Sequence, residues 1–280
     1  MIGNPVEENP IDLLFNRFYE RYEIPLHFMK IRVDRPEKLG DALRGARDLG
    51  FAFSGITVPY KTSVEEHLDE VDPGSRGIGA INFVEFVGEE RRMVGRNTDG
   101  EALATSIELK APIAGQRICI LGAGGAARGV GAELARRGAR SITVISLNPG
   151  RGEQVTEMLR GFGAEGFEAA YVRWQGDAQI PDGTDMVINA TPVGAAQGLD
   201  ELDLDWDSLS AASVAVDVIT GPRRTGFMTR AHDLGLTTVD GVDMLIDIVH
   251  VDMQHRDIDV AREDVAEYAR ELAGAPVSAD

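Results

Sequence analysis

The segment RICILGAGGAARGVGAELARRGA, residues 117–139, limits the possible folds more than any other part of the chain. Arg117–Leu121 reads as a buried strand, a glycine-rich turn follows, and a helix runs on to about Arg137. Ser141–Ser146 then reads as a second strand and Arg151–Arg160 as a second helix. Strand, turn, helix and strand in this order form the context that a dinucleotide fingerprint needs. In Gly122-x-Gly124-x-x-Ala127, Gly122 permits the tight turn and Gly124 lets a pyrophosphate approach the backbone. Ala127 keeps the helix close to the strand. The amides from Ala123 through Gly125 and Ala126 face the phosphates at the helix N-terminus. The competing reading is a turn that serves structure only.

The residues after the second strand bear on the ribose. An acid there favours NAD and an arginine favours NADP. The chain reads Ser146-Leu147-Asn148-Pro149-Gly150-Arg151, with no acid. Ser146, Asn148 and Arg151 can hold a 2′-phosphate, which favours NADP, or they form a polar loop whose arginine faces solvent.

Short apolar runs at Met186–Asn189 and Val214–Val218 extend the alternation of strands and helices, so the expected class is α/β with a parallel sheet. In the first third, Asn9-Pro10 reads as a helix start, followed by Ile11, Leu14, Phe15, Phe18 and Tyr22 at helical spacing. A strand is expected over Leu26–Val33, a helix from Pro36 to Leu49, a strand over Phe53–Val58, a helix near Lys61 and one or two strands over Ile78–Val87. From Asp240 to about Ala273 the pattern is helical.

Composition narrows the function classes. The net charge is −18, which repels phosphate backbones and anionic lipids and argues against nucleic-acid or membrane partners. No apolar run is long enough to cross a bilayer, no signal peptide is visible, and Cys119 is the only cysteine, so a cytoplasmic monomer or homodimer acting on a small molecule is expected. His250 and His255 lie five apart, which turns them away from each other on a helix, so no metal site is expected.

Two more segments carry chemistry: GITVPYK, ending at Lys61, and GRNTDG, containing Asn97 and Asp99, with Asn82 of GAINFV between them. VPYK, AINFV, NTDG, GAGGAA, INATPVG and the DG-x-x-ML of Asp240–Leu245 occur in the order found in shikimate dehydrogenases, and the opening IGNPVE resembles that family's start. The chain therefore resembles the shikimate dehydrogenase family over nearly its whole length.

The resemblance implies two domains with a cleft between them. Residues 1–100 form an α/β substrate-binding and catalytic domain, with the helices of 240–280 packing back on it, and 101–239 form a Rossmann NAD(P)-binding domain. Lys61 and Asp99 match the catalytic pair, and Thr57 and Asn82 match substrate contacts. Asn189, Thr191 and Val193-Gly194 match the loop near the nicotinamide, with Val218 and Gly241 also on the cofactor side. The implied activity is reversible hydride transfer to or from a hydroxyl-bearing carbon, in aromatic amino acid biosynthesis. A partly dehydrated Lys61 would manage the proton, while Asp99 orients its ammonium and keeps it charged. The bland alternative is a structural ion pair.

The pattern breaks on the substrate side. The family's carboxylate-binding S-x-S aligns with Asn9 and Ile11. The tyrosine of its D-x-x-Y is Thr220, the glutamine after ML is Ile248, and the asparagine of N-V-T-V-P is Gly55. Asn9, Thr57, Asn82, Thr220 and Ile248 are the candidate substrate-binding set. A pocket that loses hydrogen-bonding groups disfavours the polar substrate they served, which argues against shikimate itself; a shikimate- or quinate-like hydroxy acid is the default expectation, and another hydroxyl or keto compound fits as well. A nucleotide-binding sensor with a decayed active site is the alternative function, and an enzyme acting on folate or amino-acid substrates is a weaker one.

Overall fold

The structure, a computed structural model, describes residues 1–7, 9–195, 201–209, 212, 214–220 and 225–272. The chain divides into two compact units, Met1–Thr98 and Asp99–Asp280.

The first unit contains β1 (Ile2–Gly3), α1 (Ile11–Arg21), β2 (Ile31–Arg32), α2 (Leu39–Asp48), β3 (Phe53–Gly55), β4 (Glu70–Val71), β5 (Phe83–Val87) and β6 (Arg92–Arg96). Its main sheet has the order β3-β5-β6-β4, antiparallel except where β4 runs parallel to β6. β1 and β2 form a separate parallel pair, and Ile2 bridges to Ile56. α1 buries Ile11, Leu14, Phe15, Phe18 and Tyr19. Phe15 stacks on Phe28 with centroids 4.7 Å apart, and Phe53 on Phe83 at 5.0 Å. Leu39 and Leu43 of α2 join Ile2, Ile56, Ile81 and Val84 in a second apolar cluster.

Of the strand expected over Leu26–Val33, only Ile31–Arg32 pairs. Upstream, a side chain supplies the hydrogen bonds instead: Asn16 Oδ1 accepts from the Phe28 N–H at 2.6 Å, and its Nδ2 donates to the Phe28 carbonyl at 2.8 Å. The helix expected near Lys61 is two short 3₁₀ turns, Tyr60–Thr62 and Val64–His67. Strand β6 lies beyond the expected runs.

The second unit contains α3 (Asp99–Glu108), β7 (Arg117–Leu121), α4 (Gly125–Arg136), β8 (Ser141–Ser146), α5 (Pro149–Arg160), β9 (Glu168–Arg173), β10 (Met186–Asn189), α6 (Trp206–Leu209), β11 (Val214–Asp217), α7 (Gly226–Asp233), β12 (Thr237–Val239), α8 (Gly241–Gln254) and α9 (Arg262–Leu272). Six parallel strands form one sheet in the order β12-β11-β10-β7-β8-β9. The central strands β7, β10 and β11 read as near-continuous apolar runs because both faces are covered. Ile118 and Ile120 of β7, with Met186 and Ile188 of β10, meet Leu103, Val130, Leu134 and Leu159 from α3, α4 and α5. The alternate residues Cys119, Leu121, Val187 and Ala215 meet Leu209 and Phe227 from α6 and α7. This is the two-faced α/β layer expected from the sequence.

The C-terminal helices, which the sequence reading attached to the first domain, belong to this second unit. α8 packs along α3. The fully buried Asp247 accepts from Arg262 Nε at 2.6 Å and Nη2 at 2.8 Å and from the Ser106 hydroxyl, clasping α8, α9 and α3 together.

Candidate active site

In the first unit, Lys61 sits on a pinned stretch of backbone. Tyr60 is buried and its hydroxyl donates to the Val33 carbonyl. The Tyr60 N–H reaches the Thr57 carbonyl at 2.9 Å, and the Lys61 carbonyl accepts from the Ile81 N–H at 2.8 Å. The Thr57 N–H donates to the Ile2 carbonyl at 3.0 Å. A Cβ on Gly3 would come within 2.2 Å of Thr57 Cγ2, so that glycine is needed for close approach.

Asn82 is buried and clamps Thr98: its Nδ2 donates to the Thr98 hydroxyl at 2.9 Å and its Oδ1 accepts from the Thr98 N–H at 2.7 Å. Asn97 donates through its N–H to Ser75 Oγ at 2.8 Å and through Nδ2 to the Ala80 carbonyl at 2.9 Å. Asn97 and Thr98 of the NTDG segment are thus each held by side-chain hydrogen bonds. Asp99 follows Thr98 directly, opens α3 and is 2% exposed. Asn9 uses its Oδ1 to accept from the Ile11 N–H at 3.0 Å, so a substrate contact from Asn9 would come from Nδ2. Ile11 is buried in the core.

In the second unit, the remaining candidates gather at the carboxyl ends of the parallel strands. The chain runs outward through β7, β8 and β9, then crosses back to β10, β11 and β12. The order therefore reverses between β7 and β10, the place where open α/β sheets bind ligands. The turn after β7 meets the loop after β10 there. Gly122 has φ +108°, and a Cβ on it would lie 2.7 Å from the Ala190 carbonyl oxygen. Gly124 differs: its φ is −90°, open to any residue, and an added Cβ meets nothing within 4 Å among the described residues. Dihedrals and packing both leave room for a side chain at 124, and glycine's local role there is as the N-cap of α4. The first-turn amides of Gly125 and Ala126 open α4 beside it, and such free helix-start amides suit an anion. Ala127 is fully buried against the sheet, as its small size suggested.

After β8, Asn148 caps α5, its Oδ1 accepting from the Arg151 N–H at 3.0 Å, and the Ser146 hydroxyl donates to the Asn148 carbonyl at 3.1 Å. These groups shape the loop, and the Arg151 side chain beside it is exposed. Arg128, on α4, was missed by the sequence reading. Burial, and then the positive charge of Arg151, lower its pKa. The signal lay in its place one turn beyond the glycines.

After β10, Asn189 Oδ1 accepts from the Thr191 N–H at 3.1 Å and hydroxyl at 2.7 Å. Asn189 Nδ2 donates to the Val193 carbonyl at 3.2 Å, and Thr191 Oγ1 accepts from the Val193 N–H at 3.1 Å. After β11, the Val218 N–H donates to the Asn189 carbonyl at 3.2 Å. A Cβ on Gly241 would meet the Ile219 oxygen at 1.9 Å, so α8 starts hard against the Val218–Thr220 segment. Thr220 is half-buried, and Ile248 packs against the apolar cluster under α3. His255, far from these loops in sequence, reaches Glu101 at 3.0 Å.

Comparison with known proteins fixes the relationship. Residues 1–84 match the family model for the shikimate dehydrogenase substrate binding domain. A shikimate dehydrogenase (NADP(+)) of Methanopyrus kandleri is 34% identical over 253 residues, 88% of this chain and 85% of that protein. The chain belongs to the shikimate dehydrogenase family. As a member it is an oxidoreductase of the dehydrogenase class. Its fold matches a crystal structure of a shikimate dehydrogenase in complex with NADP+, at a TM-score of 0.83, 26% identity and coverage of 97% and 94%. It also matches 5-ketofructose reductase of Gluconobacter sp. strain CHM43, at a TM-score of 0.84, 29% identity and coverage of 97% and 96%.

Proposed function

We propose that this member of the family catalyses reversible hydride transfer between NADP and a hydroxyl-bearing or keto carbon of a shikimate- or quinate-like small molecule, in a pocket that has diverged on the carboxylate side. The observation that carries the reading is Gly124, a glycine that the fold itself does not require and that a pyrophosphate does. Bound there, the dinucleotide supplies or accepts the hydride. Gly122 through Ala126 would hold its pyrophosphate, Arg151 with Arg128 its 2′-phosphate, and Thr191, Val193, Val218 and Gly241 its nicotinamide end.

The chain's own residues manage the proton. Lys61 donates it to the substrate oxygen in reduction and takes it back in oxidation, while Asp99 orients the ammonium and shares the proton network. Thr57 and Asn82 hold substrate hydroxyls. Ile11 and Ile248 stand where the family has hydrogen-bonding groups, and neither side chain can pair with a substrate carboxylate. The likeness to 5-ketofructose reductase favours a second reading, in which the substrate is a polyhydroxylated ketone without a carboxylate.

The test is turnover of shikimate, quinate and 5-ketofructose with NADP(H) and NAD(H), followed by nicotinamide absorbance, in the wild type and in Lys61→Ala. Lys61→Ala should keep dinucleotide binding and lose about 100-fold or more in kcat, the usual scale of a positioned acid–base group. Unchanged turnover would remove Lys61 from the mechanism. Dinucleotide binding without turnover of any hydroxy or keto compound would favour a sensor.

A further inference from the structure

Asp217 ends β11 as a fully buried carboxylate. Its Oδ1 accepts from Asn189 Nδ2 at 3.1 Å and from the Ile219 N–H at 3.0 Å, and its Oδ2 accepts from the Thr225 hydroxyl at 2.6 Å. These donors come from three separate segments. Asn189 organises the loop of Thr191 and Val193. Ile219 lies between Val218 and Thr220. Thr225 caps α7 through the Met228 N–H at 3.1 Å, and it also backs the far end of the Asn189 loop: a Cβ on Gly194, whose φ is +101°, would lie 2.9 Å from Thr225 Cγ2. One carboxylate therefore fastens the loop after β10 to the segment after β11 and to the start of α7.

Stability alone does not account for it. A buried charge is costly to desolvate, and a well-packed apolar side chain in its place is often as stable or more so. What a carboxylate adds is direction. Its Oδ1 fixes the Asn189 amide so that the amide oxygen points back to Thr191, and holds the 218–220 backbone relative to it, while its Oδ2 ties both to Thr225 at the start of α7.

We propose that Asp217 is a positioning residue for the nicotinamide half of the dinucleotide site, holding the 190–194 loop and the 218–220 segment in one register. The inference rests on the assignment of those loops to the dinucleotide. Its effect falls on the nicotinamide end only, because the glycine turn and the Arg128 and Arg151 pair make no contact with Asp217 through the bonds described.

The test is a binding titration of the full chain with NADPH and with 2′-phospho-ADP-ribose, the same molecule without its nicotinamide. Asp217→Ala should weaken NADPH about 10-fold, the worth of one to two hydrogen bonds, and leave the fragment within about twofold of wild type. Asp217→Asn should bind NADPH within about threefold of wild type, because its Oδ1 still accepts and the Thr225 hydroxyl can turn to accept from its amide. Equal NADPH affinity in Asp217→Ala and wild type would overturn the proposal. So would a parallel loss of both ligands, which would mark Asp217 as a support of the whole sheet edge. If Asp217→Ala does not fold, Thr225→Ala takes its place with the same expected split. A wild type that binds neither ligand would overturn the dinucleotide assignment itself, and this proposal with it.

Discussion

Substituting Gly124 by alanine separates what the fold needs from what the ligand needs. The residue is extended, at φ −90° and ψ −168°, and its new methyl would meet no atom within 4 Å. Two small terms then oppose each other. Alanine restricts the unfolded chain, worth about 0.4–1 kcal/mol in favour of the native state, and it is a poorer N-cap than glycine, costing about 1 kcal/mol. Folding stability should stay within about 1 kcal/mol of wild type. Binding is another matter. The methyl occupies the space through which a pyrophosphate must reach the first-turn amides of α4. Losing two charge-assisted hydrogen bonds there, at about 1.5 kcal/mol each, weakens NADPH about 100-fold. Urea denaturation gives the first quantity, and fluorescence titration with NADPH gives the second. Gly122→Ala is the contrast. At φ +108°, with a Cβ 2.7 Å from the Ala190 oxygen, it should lose about 2 kcal/mol or more of stability. An NADPH affinity in Gly124→Ala within about twofold of wild type would refute the argument that a ligand, and not the fold, selects this glycine.

Two further outcomes follow from charge. Burial first, then offset by hydrogen bonds from Thr225, Ile219 and Asn189 and reinforced by the charge of Asp240, takes the Asp217 carboxyl from its ordinary 3.8 up to about 7. A raised acid holds its proton longer in the native state than in the unfolded one, so its contribution to stability falls as pH rises from about 4 through 7. The stability of wild type minus that of Asp217→Asn should therefore drop by about 2–3 kcal/mol between pH 5 and pH 8 in urea denaturation, and a difference independent of pH would contradict this. Arg151→Ala and Arg128→Ala should each weaken NADPH by about 10-fold and leave NADH within about twofold, read by fluorescence titration; equal losses for the two nucleotides would place the pair away from the 2′-phosphate.

The nucleotide half was legible because its physics is local. Buried parallel strands read as unbroken apolar runs, and RICIL and SITVIS match β7 and β8 end to end. The glycine turn could be placed for the same reason. The first unit was harder to read. Its strands are short, and some of its backbone is satisfied by side chains: Asn16 does for Phe28 what a neighbouring strand would have done, and nothing at position 16 announces a partner at 28. β9 carries half-exposed residues at the sheet edge and lacks an apolar signature. Among site residues, the clamp of Asn82 on Thr98 and the binding of Asp217 to three segments depend on contacts far apart in sequence, so their residue types were visible while their tasks were not. Arg128 was overlooked because an arginine on a helix face usually points to solvent.

The clasp of Arg262 on Asp247 carries a consequence for synthesis. Asp247 and Ser106 leave the ribosome before their cationic partner does, and until Arg262 emerges the carboxylate has no guanidinium to meet as it is buried. A nascent chain stopped short of that arginine would have to bury a bare anion, at about 3–5 kcal/mol, or keep α8 off α3. The docking of α8 on α3 is therefore expected to complete only once Arg262 is available, and a chain truncated before that arginine that still packs the two helices would contradict this.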